Sequence, residues 1–268
     1  MAKRVQSPSS INTFKQCPRK YYYQYIAKLK TLPSIHLVRG NIAHSVLEDF
    51  YDVDLPEQDQ DYKQYFQQAV QRLLLFHWNK EKSRLDELNL TNDQTKFYFE
   101  ETMMMIMNWT NHFIVDLEKE ITKGKSLLDA FQKLTPIREL KYVSDEHKVQ
   151  GFIDCIQHIE EEVHIIDYKT NARFDFKDSI KLQLAIYSLL YHEKHGKMPS
   201  KVGIFFLRHK LKMMSVDESL LELAKKEIAL VHAGTHSENI EEYPKKTSPL
   251  CRWSSGQCDF YCECGPKR

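Results

Sequence analysis

The most informative stretch of the chain is Gly151-Phe-Ile-Asp-Cys-Ile-Gln-His-Ile-Glu-Glu-Glu-Val-His-Ile-Ile-Asp-Tyr-Lys-Thr170. Two apolar runs around an acidic centre are typical of two short β-strands joined by a turn. A hairpin that served only packing would not place Asp154, Asp167 and Lys169 among isoleucine and valine. Ionisable groups in such surroundings cost free energy unless they are paired, hydrated or bound to a metal. The hairpin therefore predicts a functional site.

The spacing of these residues indicates which chemistry the site performs. Side chains alternate across a strand, so Asp167 and Lys169 project from the same face, and strand pairing brings Asp154 beside them. Carboxylates bind Mg²⁺ or Mn²⁺ through oxygen, and a lysine can position water or stabilise developing negative charge. The arrangement favours phosphodiester cleavage; the alternative is a surface Asp–Lys pair with an unrelated aspartate.

The composition indicates one large domain or two small ones. The chain has 268 residues, of which 42% are hydrophobic and 28% charged, and its formal net charge is +1. The charge is uneven, because residues 1–40 contain eight Lys or Arg and no Asp or Glu. Within them the candidate DNA-binding residues are Arg19, Lys20, Tyr21 and Tyr22, since interleaved basic and aromatic residues suit a single strand. A solvated basic arm, offset by acidic segments elsewhere, is the alternative.

Targeting and cysteine usage indicate an intracellular, cytoplasmic protein without a membrane partner. No apolar run is long enough to span a bilayer, and the N-terminal residues lack the apolar core of a signal peptide. In a reducing compartment the six cysteines are not expected to form disulfides. Four of them, Cys251, Cys258, Cys262 and Cys264, lie within the last 18 residues and predict a metal site.

The order of predicted elements is helical first and mixed afterwards, which indicates an α/β fold. Hydrophobic periodicity predicts helices at 9–26, with an interruption at Pro18, and at 42–51, 60–85, 93–122, 178–195 and 218–232. It predicts strands at 137–143, 149–159, 163–168 and 202–207. The predicted order after the helical part is therefore β-β-β-α-β-α, followed by the cysteine-rich tail.

Four short motifs resemble those of one nuclease superfamily and occur in its order. Gly151-Phe-Ile-Asp154 and Asp167-Tyr-Lys169 resemble the GxxD and (D/E)xK elements of PD-(D/E)XK nucleases. Gln183-Leu-Ala-Ile-Tyr187 resembles the QxxxY element of the RecB-like branch, and Arg39-Gly-Asn-Ile-Ala-His44 resembles its histidine motif. Gln183 and Tyr187 share one helix face because they are four residues apart.

The resemblance implies a role for each motif and a fold. It implies that the Mg²⁺ or Mn²⁺ ligands are His44, Asp154, Asp167 and the carbonyl of Tyr168. It implies that Lys169 orients the attacking water, and that Gln183 and Tyr187 support this lysine or contact the strand. The implied fold is a restriction-endonuclease-like core, a central mixed sheet flanked by helices, within a single domain. Its expected parts are a helical part at 1–135, the nuclease core at 136–235 and the cysteine-rich segment at 236–268.

The cysteines extend the resemblance to both ends of the chain. Residues 7–22 are similar to the N-terminal signature of RecB-like nucleases, whose cysteine joins three C-terminal ones around a [4Fe–4S] cluster. The implied cluster ligands are Cys17, Cys251, Cys258 and Cys264. Of the usual C-x2-C-x5-C run only the second half is kept, because six residues rather than two separate Cys251 from Cys258. Cys262 is a spare that can replace Cys264, and four thiolates also suit Zn²⁺.

The favoured function is a metal-dependent DNA exonuclease acting on single-stranded ends in repair, replication or CRISPR adaptation. The alternative is a catalytically silent DNA-binding adaptor that recruits a helicase or an integrase. The presence of Asp154, Asp167 and Lys169 argues against it. A third hypothesis is a nuclease component that acts only within a complex. The sequence contains no GxxxxGK[ST] loop, so unwinding would come from a partner.

Overall fold

The computed structural model describes residues 4–57, 61–171, 174–253 and 256–265, in which helices flank both faces of a five-stranded sheet. The strands follow chain order across the sheet and are β1 (Ile137–Ser144), β2 (Val149–Ile159), β3 (Glu162–Lys169), β4 (Lys201–Phe206) and β5 (Leu211–Ser215). Neighbouring strands are antiparallel except β3 and β4, which are parallel. A parallel pair needs a crossover connection, and the helix between β3 and β4 supplies it.

The helices are concentrated before the sheet in the chain. They are α1 (Pro8–Gln16), α2 (Pro18–Tyr21) with a π-helical turn at Tyr22–Ile26, α3 (Ile35–Asp49), α4 (Tyr62–Lys80), α5 (Lys82–Asp86), α6 (Asn92–Thr122) and α7 (Leu127–Leu134). The later elements are α8 (Asp178–His195), α9 (Glu218–Ala233), the small hairpin of β6 (Arg252–Trp253) and β7 (Gly256–Gln257), and α10 (Tyr261–Cys264). Within the described ranges, none of these helices combines the length and the apolar character needed to cross a bilayer.

Each face of the sheet carries its own hydrophobic core. Ile153 and Ile165 belong to the core that includes side chains of α8 and α9. Ile166 and Tyr168 belong to the core that includes side chains of α3, α4 and α6. We call these two sides the α8 face and the α3 face. Because side chains alternate along β3, Asp167 points to the α8 face, as the sequence predicted.

The middle of the sheet opens between β2 and β3. Their ladder stops at the pair Cys155↔Ile166, so residues 149–154 of β2 have no partner in β3. Gln6 bridges β2 at Val149 instead. At this gap the backbone N–H of Tyr168 bonds to a side chain: it donates a hydrogen bond to Oδ2 of Asp154 at 2.8 Å. A carboxylate thus takes the position of a strand partner.

The regular alternation of side chains between the two faces is broken in β1 and β2 beside this gap. Ile153 and Ile156 both join the α8-face core, whereas Cys155 joins the α3-face core. Strict alternation would send Ile153 and Ile156 to opposite faces. On β1, Glu139 has a φ of 45°, a left-handed value that costs free energy for a residue with a Cβ. The irregularity turns both Glu139 and Asp154 toward α3.

The predicted mixed α/β fold is confirmed, with differences in individual elements. The predicted interruption at Pro18 is present, but α3 begins at Ile35, seven residues before the predicted start. The predicted helix 60–85 consists of two helices, and residues 58–60 lie outside the described ranges. Sequence analysis missed α7 and β5 because both are short and β5 has no β-branched residue.

A buried carboxylate joins the helical layer to the sheet. The carboxylate of Glu101, on α6, accepts hydrogen bonds from Arg39 on α3 and from Arg208 after β4. The Nε of Arg208 also donates to the carbonyl of Thr170, directly after β3, at 3.1 Å. Arg39 is buried, and its guanidinium lies 5.3 Å from the ring centroid of Tyr98. Glu101 therefore fixes where α3 lies over the sheet.

We predict that Glu101→Ala lowers the free energy of unfolding by about 3 kcal/mol, because it leaves Arg39 buried without its partner. Urea denaturation followed by circular dichroism measures the change. The control is Glu100→Ala on the same helix, whose exposed pair with Lys96 contributes well under about 1 kcal/mol. Equal stability of the two variants would show that Glu101 does not anchor α3.

Candidate active site and cysteine cavity

Two side chains and one backbone carbonyl converge at the gap between β2 and β3. His44 reaches the gap from α3, and its Nδ1 lies 3.4 Å from Oδ2 of Asp154. Its Nε2 lies 3.1 Å from the carbonyl oxygen of Tyr168. The structure thus brings together the predicted groups of His44, Asp154 and Tyr168, which are an imidazole, a carboxylate and a carbonyl.

A further carboxylate at this point was missed by sequence analysis. Oε1 of Glu139 lies 3.7 Å from Nδ1 of His44. The ligand atoms of His44, Glu139 and Asp154 all lie within 4.8 Å of one another, which is close enough to share one metal ion. Glu139 lies on the part of β1 that pairs with residues 153–155. The β1–β2 register would have found it, but Glu139 belongs to none of the four motifs.

On the other side of the gap, the buried carboxylate of Asp167 forms an ion pair with the half-buried Lys169. The Nζ of Lys169 lies 2.7 Å from Oδ2 of Asp167. Burial raises the pKa of Asp167 to about 6; Lys169 opposes this rise and Asp154 adds to it. Burial disfavours the ammonium form of Lys169, but the carboxylate of Asp167 outweighs it and raises the pKa of Lys169. Lys169 is therefore charged at neutral pH.

Helix α8 supplies a neutral hydrogen-bonding layer beneath this pair. The Nε2 of Gln183 donates to Oδ1 of Asp167 at 2.7 Å and to the hydroxyl oxygen of Tyr187 at 2.9 Å. Burial raises the pKa of Tyr187 well above its ordinary value, so the phenol stays protonated. Gln183 and Tyr187 face the site as expected for an i, i+4 pair. Gln183 contacts Asp167, the partner of Lys169, and the role implied for Gln183 and Tyr187, to support Lys169 or contact the strand, stays a prediction.

His44 is a protonated donor in the arrangement described. Burial disfavours its imidazolium form, but hydrogen bonds to Asp154 and Glu139 outweigh burial and raise the pKa of His44 to about 10. Ligation by a ring nitrogen requires loss of the proton on that nitrogen. A metal ion therefore competes with a proton for His44. The negative charge of Asp154 and Glu139 favours binding of the proton and binding of the metal ion alike.

The four predicted cluster ligands line one cavity. Its volume is about 240 Å³, and its walls include Cys17, Cys251, Cys258 and Cys264 but not the exposed Cys262. Among the described residues, no three cysteine sulfurs lie within 4.8 Å of one another. A single tetrahedral Zn²⁺ with Zn–S bonds of about 2.3 Å needs closer thiolates than this. The cavity thus contains the four-thiolate donor set that the resemblance implied.

The predicted DNA-binding arm packs against the C-terminal part of the chain. The Nε of Arg19 donates to the carbonyl of Tyr243 at 2.7 Å, and Lys20 lies 3.3 Å from Oδ2 of Asp259. Tyr21 is completely buried, and its hydroxyl accepts a hydrogen bond from Gln6. The prediction that Tyr21 contacts DNA is therefore wrong, because its ring offers no free face.

The remaining residues of that arm keep their predicted role as predictions. Tyr22 is half-buried, and its ring centroid lies 5.2 Å from that of Tyr243. Arg19 and Lys20 each have a partner within the chain, so phosphate contacts would have to be additional ones. Lys3, which contributes to the basic segment, lies outside the described residues.

Open central strands that present Asp154 and an Asp-x-Lys pair have the arrangement of a nuclease active site. The chain matches the PD-(D/E)XK nuclease superfamily over residues 6–265 and belongs to it. This membership confirms the superfamily named by the motifs.

Two further comparisons place the chain among known proteins. It is 24% identical over 224 residues to one of the subunits of an ATP-dependent helicase/nuclease from Clostridium botulinum, strain Alaska E43 / Type E3. That match covers 68% of this chain but only 18% of the relative, so the chain spans less than a fifth of the relative's length. A crystal structure of a candidate exonuclease from Eubacterium rectale has a TM-score of 0.52 at 13% identity. It covers 97% of this chain and 93% of its own, and it supports the fold.

We predict that Gly151→Ala lowers the free energy of unfolding by about 2 kcal/mol through overpacking. A Cβ at this position would lie 2.9 Å from Cε1 of Tyr187 and 3.3 Å from Cδ1 of Leu190. The displaced Tyr187 would also lose its hydrogen bond from Gln183. Urea denaturation measures the loss of stability, and the crystal structure of the variant shows the position of Tyr187.

The matched control is Gly40→Ala in the middle of α3. There a Cβ would approach only Oγ1 of Thr170, at an ordinary distance of 3.8 Å. Alanine in a helix interior is favoured over glycine by about 0.5–1 kcal/mol, so this variant should be as stable as the wild type or more stable. A stable Gly151→Ala variant would contradict the tight packing of α8 on β2.

Proposed function

We propose that the protein is a divalent-metal-dependent DNA nuclease, acting as an exonuclease on single-stranded ends. The observation that carries the proposal is that Asp154 and His44 lie at one opening of the sheet, close enough to the Asp167–Lys169 pair for their charges to interact. Membership of the PD-(D/E)XK nuclease superfamily supports nuclease activity. The exonuclease mode and the single-strand preference rest on the resemblance to RecB-like enzymes.

The donor set fits a hard divalent cation. We assign the metal to His44, Asp154, Asp167 and the carbonyl of Tyr168, with Glu139 as an additional carboxylate. Oxygen donors suit Mg²⁺ and Mn²⁺, and an imidazole ligand moves the preference toward Mn²⁺. When bound, such an ion supplies Lewis acidity toward a phosphoryl oxygen and activates water for attack.

The side chains of this protein perform the remaining steps. The ammonium of Lys169 orients the attacking water and stabilises negative charge on the phosphate in the transition state. Asp167 holds that ammonium in place, and the amide of Gln183 holds Asp167. Tyr187, which stays protonated, accepts from Gln183 and so fixes the amide. The hydrogen bond from the Tyr168 amide fixes the rotamer of Asp154.

A helicase partner is part of the proposal. The curated relative is named as one subunit of an ATP-dependent helicase/nuclease, and this chain lacks a GxxxxGK[ST] loop. We infer that a helicase motor outside these 268 residues unwinds duplex substrates, while the nuclease site described here digests the exposed strand. A DNA-binding adaptor that recruits a helicase or integrase is the competing function.

Cleavage of end-labelled single-stranded and duplex DNA tests the proposal. The anaerobically purified protein is assayed with Mg²⁺, with Mn²⁺ and with EDTA. We expect metal-dependent degradation of the single strand, and the ladder of labelled products gives the polarity. A protein that binds DNA but cleaves neither substrate with either metal would establish the adaptor function instead.

We predict that Lys169→Met reduces cleavage at least about 100-fold, because it removes the charge that acts on the phosphate while keeping an apolar stem. Initial rates on the single-stranded substrate measure the effect. Lys119→Met, which changes an exposed lysine on α6, should cleave like the wild type. Asp167→Asn should match Lys169→Met and keep a native circular dichroism spectrum. Normal cleavage by Lys169→Met would refute the site assignment.

We also propose that Cys17, Cys251, Cys258 and Cys264 hold a [4Fe–4S] cluster. Four thiolates in one cavity suit such a cluster, and the resemblance to RecB-like nucleases favours it over Zn²⁺. The cluster would connect α2 to the segment 251–264. Metal binding would therefore contribute folding free energy by joining distant parts of the chain.

We predict that Cys17→Ser loses most of the iron and lowers the thermal unfolding temperature, because one of four ligands is removed. Metal analysis, the visible absorbance and a thermal scan measure the three properties. Cys262→Ser is the control and should retain its iron, since Cys262 does not line the cavity. Stoichiometric zinc in the anaerobically purified wild type would refute the cluster.

A further inference from the structure

One part of the sheet next to the candidate metal site has an exposed face. In the β1–β2 ladder Lys141 stands opposite Phe152, and Val143 stands opposite Gln150. Tyr142 points into the α8-face core, so its neighbours on β1 point to the α3 face. There Phe152 is 53% exposed and Val143 is 49% exposed. We call Lys141, Val143, Gln150 and Phe152 the sheet platform.

The sheet platform leads directly to the candidate metal site. Two residues beyond Lys141 on β1 is Glu139, and two residues beyond Phe152 on β2 is Asp154. Both carboxylates face α3, as the platform does. Successive residues on one face of a strand are about 6.7 Å apart along the strand. Lys141 and Phe152 are therefore about 6.7 Å along their strands from Glu139 and Asp154, and Val143 and Gln150 are about 13 Å from them. A bound chain following the hairpin would arrive at the site.

The chemistry of the platform fits a single nucleotide strand. The Nζ of Lys141 lies 6.0 Å from the ring centroid of Phe152, so a cation and an aromatic face are presented together. An aromatic ring stacks on an unpaired base of any sequence, and a neighbouring ammonium contacts the phosphate. Bases within a duplex are already stacked on their neighbours. The platform therefore suits a single strand.

We propose that the sheet platform binds the single-stranded DNA adjacent to the phosphodiester that is cleaved, with Phe152 stacked on a base and Lys141 at a phosphate. This inference rests on the proposed nuclease function and adds the position of the substrate strand. It also supplies the stacking ring that the buried Tyr21 cannot provide. A protein partner is less suited, because two apolar side chains form a much smaller patch than protein interfaces use.

Fluorescence anisotropy with a labelled oligothymidylate tests the platform without requiring cleavage. The full-length protein is titrated in buffer freed of divalent ions. We expect Phe152→Leu, which keeps an apolar side chain but removes the ring, to weaken binding about tenfold. Phe152→Trp should restore the affinity, because indole stacks at least as well. The matched control is Phe76→Leu on α4, whose phenylalanine is 59% exposed and far along the chain from the site.

The salt dependence tests the role of Lys141. Loss of one phosphate contact should reduce the slope of log affinity against log salt by about 0.7 for a single strand. Lys141→Gln should show this reduction, whereas Phe152→Leu should keep the wild-type slope. An unchanged slope for Lys141→Gln would remove the phosphate contact from the proposal.

The outcomes separate the platform from the nuclease function. Wild-type affinity of Phe152→Leu, or no binding of the wild type, would overturn the platform. Tighter binding of an equal oligouridylate would reassign the strand to RNA and overturn the proposal for DNA. A wild type that cleaves but does not depend on Phe152 refutes the platform alone. A wild type that binds through Phe152 but cleaves nothing refutes the nuclease function alone.

Discussion

The hydrogen bond from the Tyr168 amide to the Asp154 carboxylate is the interaction on which the site depends. It exists because the β2–β3 ladder ends at Cys155 and leaves Asp154 and Tyr168 unpaired with each other's strand. A carboxylate held in this way keeps one oxygen oriented toward His44 on α3. The Asp167–Lys169 pair lies on β3 beside the same opening, where β3 pairs with β4 alone. The gap in the sheet therefore creates the opening at the candidate metal site, and residues beside the gap supply metal ligands.

Buried charge on both faces of the sheet is balanced by specific partners. On the α8 face the carboxylate of Asp167 is contacted by Lys169 and Gln183, and Lys169 opposes the rise in the pKa of Asp167 that burial causes. On the α3 face the carboxylate of Glu101 compensates two guanidinium groups and positions the helix that carries His44. Burying one charge alone would cost several kcal/mol. Correct assembly of both layers is thus required before the site exists.

The sequence predicted four of the five strands of the central sheet, most helices and the residues that meet at the candidate site. Alternation placed Asp167 and Lys169 on one face, and helical spacing placed Gln183 beside Tyr187. Glu139 was not predictable in this way, because its approach depends on a left-handed backbone and on the register with β2. The burial of Tyr21 was missed because its cover comes from residues such as Tyr243, more than 200 positions away. Local patterns carry no information about such distant contacts.

The hydrogen exchange of the Tyr168 backbone N–H reports on the site separately from the fold. Most amides in a central strand are protected by neighbouring strands, so their hydrogen exchange reports on opening of the sheet. This one is protected by a side chain, and its exchange reports on the orientation of a single carboxylate. The integrity of the active site and the integrity of the fold are therefore separate quantities. One backbone N–H distinguishes a folded but misarranged site from an intact one.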